Sequence, residues 1–277
     1  MEKTTLVSVI ISTRNEADVI GKLLASIKKQ SFKSNEIIVV DNNSQDKTKA
    51  IAKKFTERVF NYGPERSAQR NFGAKKAKGK YLLFLDADME LTRRVIEECI
   101  AKIKRVKNTG GVIIPEISVG KYFWEKAKAF ERSFYFEEGG LAIEAARFFT
   151  KEAFSQTSGY DERVTGKEDW ELSESVRKSG LRITRIASPL YHHETIPSLV
   201  NFAQKYYYYG LTVHRVLKKQ NTSFIGPETI PFLRPVFYKK FHRFFAHPIL
   251  SIGMFILLST QLGASGVGFT IGKVKHL

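Results

Sequence analysis

The sequence has little cysteine and a deficit of acidic residues. Cys99 is the only cysteine among 277 residues, so no internal disulfide can form and a reducing, cytoplasmic location is favoured. It lies in RRVIEECIAKI, where apolar residues recur at helical spacing, so we expect a buried core thiol rather than a nucleophile. Asp and Glu number 28 against 45 Lys and Arg, which gives a formal net charge of +17. This surplus favours anionic partners: nucleic acid, phosphorylated small molecules or an acidic membrane face.

Motifs of several common enzyme classes are also absent. IISTRNEA stands where a dinucleotide-binding enzyme would have GxGxxG after its first strand. The sequence contains no GxxxxGK[ST] loop, no Cys/His cluster with zinc spacing and no GxSxG. The N-terminus shows no secretory signal pattern, because Glu2 and Lys3 lead directly into a strand-like run. These absences disfavour dehydrogenases, P-loop ATPases, zinc proteins and serine hydrolases.

The first half of the chain alternates apolar runs with helical patterns. LVSVIIS, EIIVVD and KYLLFLD are typical of buried strands, and the segments between them have apolar residues at helical spacing. This order predicts an α/β fold with a parallel sheet and helices on both faces. Ligands of such sheets bind beyond the carboxyl ends of the strands, where this chain has STRNEAD, DNNSQD and DADME. We therefore expect a polar site at that edge.

The last part of the chain differs in composition. Residues 248–272 contain no charged residue and are flanked by YKKFHRFFAH and KVKH. The stretch is long enough for a membrane span, which needs about 20 apolar residues, although Ser, Thr, Gln and five glycines dilute it. We expect a helix or hairpin that lies in the interface of an anionic membrane or packs on the rest of the chain.

Two aspartates, Asp86 and Asp88, follow the strand-like KYLLFL with only Ala87 between them. Alternate residues of an extended segment point the same way, so both carboxylates are expected to face one side. Helix capping does not require them, because Thr92 is a candidate N-cap for the next helix. Adjacent carboxylates repel each other unless they share a cation, and oxygen-rich sites suit Mg²⁺ or Mn²⁺. A metal there would also neutralise a diphosphate.

Four segments together resemble an inverting family-2 glycosyltransferase with the GT-A fold. They are VSVIISTRNEADVIGKLLASIKKQ, EIIVVDNNSQDKT, RSAQRNFGAKKAKGKYLLFLDADM and GYDERVTGKEDWELSESVRKSG. The resemblance implies a single nucleotide-diphospho-sugar-binding domain over residues 1–220, with a mostly parallel central sheet flanked by helices. A C-terminal helical, membrane-associating appendage is expected over residues 221–277. The implied reaction is metal-dependent transfer from a nucleoside diphosphate sugar, with UDP favoured over GDP and Mn or Mg as the cofactor.

The resemblance assigns the DAD sequence to the family's DXD motif. Asp88 would be the direct metal ligand, and Asp86, next to Ala87, would lie near the ribose or behind the metal. Many GT-A enzymes bring a histidine back to the metal or diphosphate from a C-terminal loop. His192 and His193 are the candidates, with a slight preference for His193, although a histidine pair in a loop is more often structural or exposed. The two cannot both reach the metal if the loop is extended, because adjacent side chains then point in opposite directions.

The resemblance also implies a set of nucleotide-sugar contacts. These are Thr13, Arg14 and Glu16 after the first strand, Asp41 after the second, Arg66, Arg70 and Asn71 around the RN pair, and Asp86 and Ala87 of the DAD sequence. Asp41 would accept hydrogen bonds from the base, or else cap its own loop, a task that Ser44 can also perform. Glu16 would contact the nucleotide or simply favour a helix N-terminus. Arg70 would pair with phosphate or hold Asp86, and Arg66 is the weaker candidate.

GKEDWELSESVRKSG resembles the family's ED motif. Inverting transfer needs a base that takes the acceptor's proton, and the family pattern makes Asp169 this base, with Glu168 beside it. The alternative is that both only stabilise a helix N-terminus. If the acceptor is a phosphate, little base catalysis is needed, and Asp169 would instead orient the acceptor or hold its metal.

The net positive charge, the apolar stretch near the C-terminus and the aromatic-rich segments KYFWEKAKAFERSFYF and YYYYG, which are expected to be helical, together favour a lipid-linked acceptor. Examples are a polyprenyl phosphate or a lipid-carried glycan. The expected location is the inner face of the cell membrane, as a peripheral or monotopic protein. One alternative is a sugar-phosphate nucleotidylyltransferase, which would be expected to carry a glycine-rich loop after the first strand. A nucleic-acid-binding protein is suggested by charge alone, and no recognised DNA or RNA module supports it. Nucleic acid is therefore not an expected partner.

Overall fold

The structure, a computed structural model, describes residues 6–136, 144–220, 226 and 229–275, which form two compact units. The first unit consists of Met1–Glu116, Ala145–Glu162 and Glu168–His192, and the second of Ile117–Glu144, Arg163–Lys167 and His193–Leu277. The division at residues 220 and 221 stays a prediction. Residues 221–225 of the expected appendage lie outside the described part of the chain.

The strands follow the predicted apolar runs in the first half of the chain. Their bounds are β1 (Val7–Thr13), β2 (Asn35–Asp41), β3 (Val59–Asn61), β4 (Tyr81–Asp86), β5 (Met89–Leu91), β6 (Thr109–Ile113), β7 (Glu116–Val119), β8 (Phe148–Thr150), β9 (Arg182–Arg185) and β10 (Leu190–His193).

Helices occupy most of the segments between these strands and nearly all of the C-terminal part. Their bounds are α1 (Ile20–Lys28), α2 (Thr48–Lys53), α3 (Arg66–Lys76), α4 (Val95–Arg105), α5 (Phe123–Phe136), α6 (Lys151–Gln156), α7 (Glu168–Lys178), α8 (Leu199–Gln220), α9 (Pro235–Lys239), α10 (His242–Ala246) and α11 (Pro248–Val274).

The first unit is built on a seven-stranded sheet with the order β3-β2-β1-β4-β8-β6-β9. Only β8 runs antiparallel to its neighbours in this sheet, so the prediction of a mostly parallel sheet is confirmed. Thr13 lies opposite Asp41 on one side of β1, and Ser12 lies opposite Asp86 on the other. The carboxyl ends of the three central strands therefore meet at one edge.

Strand β1 is buried on both faces, which explains its continuous run of apolar residues. Val9 and Ile11 pack with α1 and α4 in one cluster, and Ile10 packs on α3 in the other. Burying one such side chain contributes about 1.5–3 kcal/mol, so these helices hold the sheet edge firmly. Cys99 is buried in the first cluster, where burial raises the pKa of its thiol well above the usual value.

The expectation that Thr92 caps α4 is wrong. Its hydroxyl donates to the carbonyl of Pro189 over 2.6 Å, and the helix begins only at Val95. Arg94 occupies the N-cap position without a side-chain cap. The turn after β5 is held by contact with the chain ahead of β10 rather than by local capping.

The second unit is helical, and α11 is its longest helix. Its 27 residues form one continuous helix that is long and apolar enough to cross a membrane by length and composition. Glycines let it approach α8 closely, because a Cβ on Gly268 would lie 2.2 Å from the Tyr207 carbonyl oxygen. On Gly272 it would lie 2.0 Å from the carbonyl oxygen of Leu211. Bulkier residues at these positions would push the two helices apart.

Replacing Gly268 by Ala is expected to lower the free energy of unfolding by about 1–3 kcal/mol, because the added methyl group meets backbone that cannot yield cheaply. Gly263 of the same helix is the matched control, since a Cβ there has no neighbour within 4 Å. Gly263→Ala should raise stability by up to about 1 kcal/mol through helix propensity alone. Urea unfolding followed by circular dichroism measures both, and equal changes would contradict close packing at Gly268.

Candidate active site

The carboxyl edge of the sheet gathers the residues predicted to bind the nucleotide. Thr13, Asp41 and Asp86 end β1, β2 and β4, respectively. The hydroxyl oxygens of Ser12 and Thr13 are buried and have no hydrogen-bond partner among the described residues. Buried hydroxyls normally find a partner, so these two have unsatisfied hydrogen-bonding capacity at the carboxyl end of β1.

The loops after β1 and β2 are fastened to each other. Asp41 is fully buried, and its carboxylate accepts hydrogen bonds from both the backbone N–H and the hydroxyl of Ser44. The Ser44 oxygen accepts in turn from the backbone N–H of Asn15, and the Glu16 N–H donates to the Thr48 hydroxyl, both over 2.8 Å. Asp41 therefore organises its own loop, and its contact with a base stays a prediction. The predicted contacts of Glu16 and of the exposed Arg14 with a nucleotide likewise stay predictions.

Arg70 lies at the centre of a cluster of ion pairs. Its side chain is completely buried, and Nη2 donates to Asp86 Oδ1 over 2.7 Å. Nη1 donates to Asp169 Oδ1 over 2.9 Å and lies 3.5 Å from Glu168 Oε1. One guanidinium from α3 thus joins the end of β4 to the start of α7. Of the two roles predicted for Arg70, the structure shows the contact with Asp86.

Arg147 is a second arginine of this cluster, which the sequence analysis missed. Its Nε donates to Glu116 Oε1 over 2.6 Å, and its Nη1 lies 3.5 Å from Asp86 Oδ2 and 3.8 Å from Asp169 Oδ2. It precedes β8, the antiparallel strand inserted next to β4. No motif marks it, and the only signal in the sequence is a lone arginine directly before the apolar pair FF.

The two arginines determine the charge state of Asp86. Burial would raise the pKa of this carboxyl, but Arg70 and Arg147 hold it well below its usual range. Burial would likewise lower the pKa of each guanidinium, but the surrounding carboxylates raise both above their usual value. Asp86 therefore already has its counter-charges. The expectation that Asp86 and Asp88 need one shared cation is corrected accordingly: of these two carboxylates, only Asp88 has a buried oxygen without a hydrogen-bond partner among the described residues.

Asp88 has a different environment from Asp86. Its Oδ1 is buried without a hydrogen-bond partner in the described residues, and its Oδ2 lies 3.2 Å from His192 Nε2. His192 Nδ1 lies 3.3 Å from Glu116 Oε2. Burial would lower the pKa of His192, but hydrogen bonds to Asp88 and Glu116 raise it to about 10. Glu116 also pairs with Arg147, so these residues form one continuous chain from Asp88 to Asp86.

Strand pairing explains why His192, of the two predicted histidines, lies beside Asp88. β10 runs antiparallel to β5, with His192 opposite Met89, the residue after Asp88. His193 is the next residue and belongs to the second unit. Ala87, the spacer between the aspartates, is buried in the core cluster that includes Met89. A metal contact of either histidine stays a prediction.

Arg66 and Asn71, on the same helix as Arg70, have contacts of their own. Arg66 Nη2 lies 3.0 Å from Glu168 Oε1. The amide of Asn71 donates to the Tyr160 carbonyl and to Glu162 Oε1, and its oxygen accepts from the Tyr160 N–H, each over 2.9 Å. Asn71 thus fixes the loop that precedes α7, and its predicted contact with a nucleotide stays a prediction.

Comparisons with known proteins place this chain in a family. Residues 8–158, more than half of the chain, match the family model described as glycosyl transferase family 2. A GalNAc(5)-diNAcBac-PP-undecaprenol beta-1,3-glucosyltransferase of Campylobacter jejuni is 34% identical over 34% of this chain and 33% of its own length. The UDP-Glc:alpha-D-GlcNAc-diphosphoundecaprenol beta-1,3-glucosyltransferase WfaP of Escherichia coli is 39% identical over 30% of this chain and 35% of its own. The match thus covers about a third of the length of these curated relatives.

Solved structures share the fold over almost the whole chain. The mannosyltransferase PcManGT from Pyrobaculum calidifontis, in complex with GDP-Man and Mn²⁺, aligns with a TM-score of 0.59 at 18% identity, covering 97% of this chain and 75% of that one. TarS 1–349 of S. aureus in complex with UDP-GlcNAc aligns with a TM-score of 0.56 at 16% identity, covering 94% and 90%. The predicted GT-A fold is confirmed. By its matched sequence and its fold, the chain belongs to glycosyl transferase family 2.

Proposed function

We propose that the chain is a metal-dependent inverting glycosyltransferase that moves a sugar from a nucleoside diphosphate sugar to a lipid-linked acceptor at the inner face of the cell membrane. The observation that carries this proposal is the buried Oδ1 of Asp88, which has no hydrogen-bond partner among the described residues and lies beside His192, two residues beyond the end of β4. A carboxylate oxygen left without a partner in a buried, polar site is what a divalent cation would occupy.

The residues present fit such a cation. Asp88 offers a carboxylate oxygen. His192 would offer Nε2 once a cation displaces the proton that its raised pKa retains at neutral pH, while Glu116 holds the other ring nitrogen in the way that carboxylates orient metal-ligating histidines. Among the described residues, no three His, Cys, Asp or Glu side chains already form a metal-binding group. We therefore expect diphosphate oxygens and water to complete the ligand set, as is usual for Mg²⁺ with nucleotides. When bound, the cation supplies positive charge that offsets the charge of the departing diphosphate.

Asp169 is the proposed base. Arg70 holds its Oδ1 at 2.9 Å, whereas its Oδ2 lies 3.8 Å from Arg147 and is less tightly held. The two arginines fix the orientation of the carboxylate, which then takes the proton of an acceptor hydroxyl as that hydroxyl attacks the sugar. Glu168 is held by Arg66 and positions the start of α7 next to the base. With a phosphate acceptor, Asp169 would instead orient the acceptor.

The names of the relatives support the donor and acceptor classes. WfaP is named for UDP-Glc and a diphosphoundecaprenol acceptor, and the Campylobacter relative also for an undecaprenol-linked glycan. PcManGT binds GDP-Man, so GDP sugars remain the second choice of donor. For this chain we propose a UDP sugar as the preferred donor and Mn or Mg as the cofactor. The proposed acceptor is a polyprenyl phosphate or a lipid-linked glycan.

A ligand screen tests the proposal. The purified chain is heated with UDP or GDP sugars in the presence of Mn²⁺, Mg²⁺ or EDTA, and its melting temperature is recorded. We expect a rise with one nucleotide sugar that depends on the divalent cation, because binding to the folded state alone stabilises it. A rise unaffected by EDTA would contradict the metal site. Salt-dependent DNA binding with no response to any nucleotide sugar would favour a nucleic-acid-binding protein instead.

Replacing Asp88 by Asn is expected to abolish the cation-dependent part of this shift, because the amide removes the anionic ligand while keeping the shape of the side chain. Glu90→Gln is the matched control, two residues further along the same segment. It removes one carboxylate in the same way but should leave the shift unchanged. A cation-dependent shift that survives in Asp88→Asn would show that the metal binds elsewhere.

A further inference from the structure

An exposed row of large apolar side chains runs along α9, α10 and the first half of α11. They are Tyr238, Phe241, Phe245, Ile249, Ile252 and Ile256, between 39% and 79% exposed, and are called the apolar stripe below. The three isoleucines are three or four residues apart on α11, which places them on one face of that helix, and the rings of Phe241 and Phe245 lie 6.4 Å apart in the segment before it. Single exposed apolar residues are ordinary on proteins, but six within residues 238–256 are not.

The opposite face of the same helices is already used for packing. Val236 and Phe237 of α9 and Met254 and Leu258 of α11 are buried against Phe134 and its neighbours on α5. This segment is therefore apolar on both faces, and within the part of the chain that the structure describes, protein covers only one of them. Packing in the core of the second unit therefore explains only part of the apolar character of residues 248–272.

The surroundings of the apolar stripe are basic. Residues 229–277 contain six Lys and Arg and no Asp or Glu. Lys239 and His242 are exposed next to the stripe, and Lys273 and Lys275 are exposed at the far end of α11. Apolar and aromatic side chains flanked by cations complement an anionic phospholipid surface, where each cation contributes about 1 kcal/mol.

The packing of α11 argues against a membrane span. The helix lies along α8 and α5: Ser265 donates to the Tyr206 carbonyl, and a Cβ on Gly253 would lie 2.9 Å from Ala127. α5 carries a buried pair in which Lys128 Nζ lies 2.6 Å from Glu131 Oε2. Burial would raise the pKa of Glu131, but Lys128 and Arg234 lower it to about 2, so it is charged at neutral pH.

A spanning α11 would take these charged neighbours into the hydrocarbon or lose its packing against them, and charged side chains are expensive there. Beyond the stripe its exposed face is mixed, with Ser259, Gly263 and Thr270 alternating with the exposed Val267 and Val274. The cost of moving the charged neighbours into hydrocarbon therefore carries the argument, and it favours a helix that lies along a membrane surface over one that crosses it.

We propose that the apolar stripe docks onto an anionic phospholipid bilayer, with α9–α11 lying in the plane of the interface and not crossing it. This proposal specifies the membrane contact of the proposed function and in that respect rests on it. Docking onto vesicles is nevertheless measured by flotation, which does not require the chain to transfer a sugar. A failure of docking is therefore distinguishable from a failure of the glycosyltransferase assignment.

Flotation of the full chain with lipid vesicles tests the docking surface. Binding is expected to be stronger to vesicles of phosphatidylcholine with phosphatidylglycerol than to phosphatidylcholine alone, and to weaken with salt. Phe245→Glu and Ile249→Glu change the two most exposed members, 79% and 70% exposed, and each should weaken binding at least about tenfold. Val200→Glu is the matched control, because Val200 is an equally exposed (65%) apolar residue of the second unit outside the stripe.

Folding of each variant is checked by circular dichroism and by its response to nucleotide sugars. Equal flotation of the stripe variants and Val200→Glu would overturn the proposal. So would a concentration-dependent dimer that dissociates on Phe245→Glu while the unchanged chain fails to float, since the stripe would then be an interface between two copies.

Cysteine labelling tests the in-plane orientation. Cys99 is buried, so new cysteines at His242 and at Lys275, on either side of α11, would carry the label. With the chain bound to sealed vesicles from outside, a membrane-impermeant maleimide should label both positions before detergent is added. Protection of the Lys275→Cys variant until detergent opens the vesicles would show that α11 crosses the bilayer.

Discussion

Asp169→Asn is expected to lower kcat by about 10²–10⁴-fold with an acceptor that attacks through a hydroxyl group. Asparagine retains the oxygen that accepts from Arg70 at 2.9 Å, so the fold and the neighbouring ion pairs are disturbed little. It cannot take up a proton at neutral pH, so only the proposed base is lost. Steady-state kinetics measure kcat, and a thermal shift with the nucleotide sugar should remain as in the unchanged chain.

Glu174→Gln is the matched control for this change. Glu174 lies on the same helix, α7, and pairs with Arg177 at the outer part of the helix. Its replacement removes one carboxylate without touching the Arg70 cluster, and kcat should stay the same. If Asp169→Asn leaves turnover intact with a hydroxyl acceptor, Asp169 is not the base. A loss confined to hydroxyl acceptors, with phosphate acceptors unaffected, would support proton removal as its role.

The local sequence patterns predicted the sheet and the location of the site. Continuous apolar runs identify β1, β2 and β4, and parallel pairing brings the residues that end them to one edge. Thr13, Asp41 and Asp86 were placed together on this ground alone. Such predictions succeed because period, burial and strand direction are encoded within a few neighbouring residues.

Only part of the contacts of the two aspartates could be predicted from the sequence. Asp86 and Asp88 are chemically identical and only two residues apart, yet one is held by arginines and the other keeps an unpartnered oxygen. Arg70, which the sequence predicted as a partner of Asp86, makes the shorter contact, whereas Arg147 is delivered to Asp86 by a distant antiparallel strand. Local spacing does not encode which distant strand will pair beside β4, so neither Arg147 nor Glu116 was predicted.

The choice between the two histidines shows the same limit. Adjacent residues of a strand point to opposite faces, so one residue of register decides which histidine faces Asp88. The sequence favoured His193 slightly, whereas the pairing of His192 with Met89 puts the His192 ring 3.2 Å from Asp88. Register depends on the partner strand β5, which is fixed only in the folded chain.

Arg70→Met is expected to lower the free energy of unfolding by about 3–5 kcal/mol at neutral pH, the largest stability change we predict. Arg70 is completely buried and pairs with Asp86 and Asp169, so its loss leaves buried carboxylates short of positive charge. Arg94→Met is the control. Its side chain is 65% exposed and pairs with Glu97, which is 46% exposed, so its loss should cost no more than about 1 kcal/mol. Urea denaturation of both variants measures the difference.

The pH dependence of the Arg70→Met effect distinguishes lost charge pairing from lost packing. In the unchanged chain the pKa of Asp86 is held well below its usual value of about 4, so this pairing stabilises the fold above that pH and is lost as the pH falls. Without Arg70, burial raises the pKa of Asp86 relative to the unchanged chain, and its buried charge then weakens the fold increasingly as the pH rises. The gap in unfolding free energy between Arg70→Met and the unchanged chain should therefore narrow as the pH is lowered from neutral towards about 4. A gap that stays constant over this range would mean that Arg70 stabilises the site through packing alone.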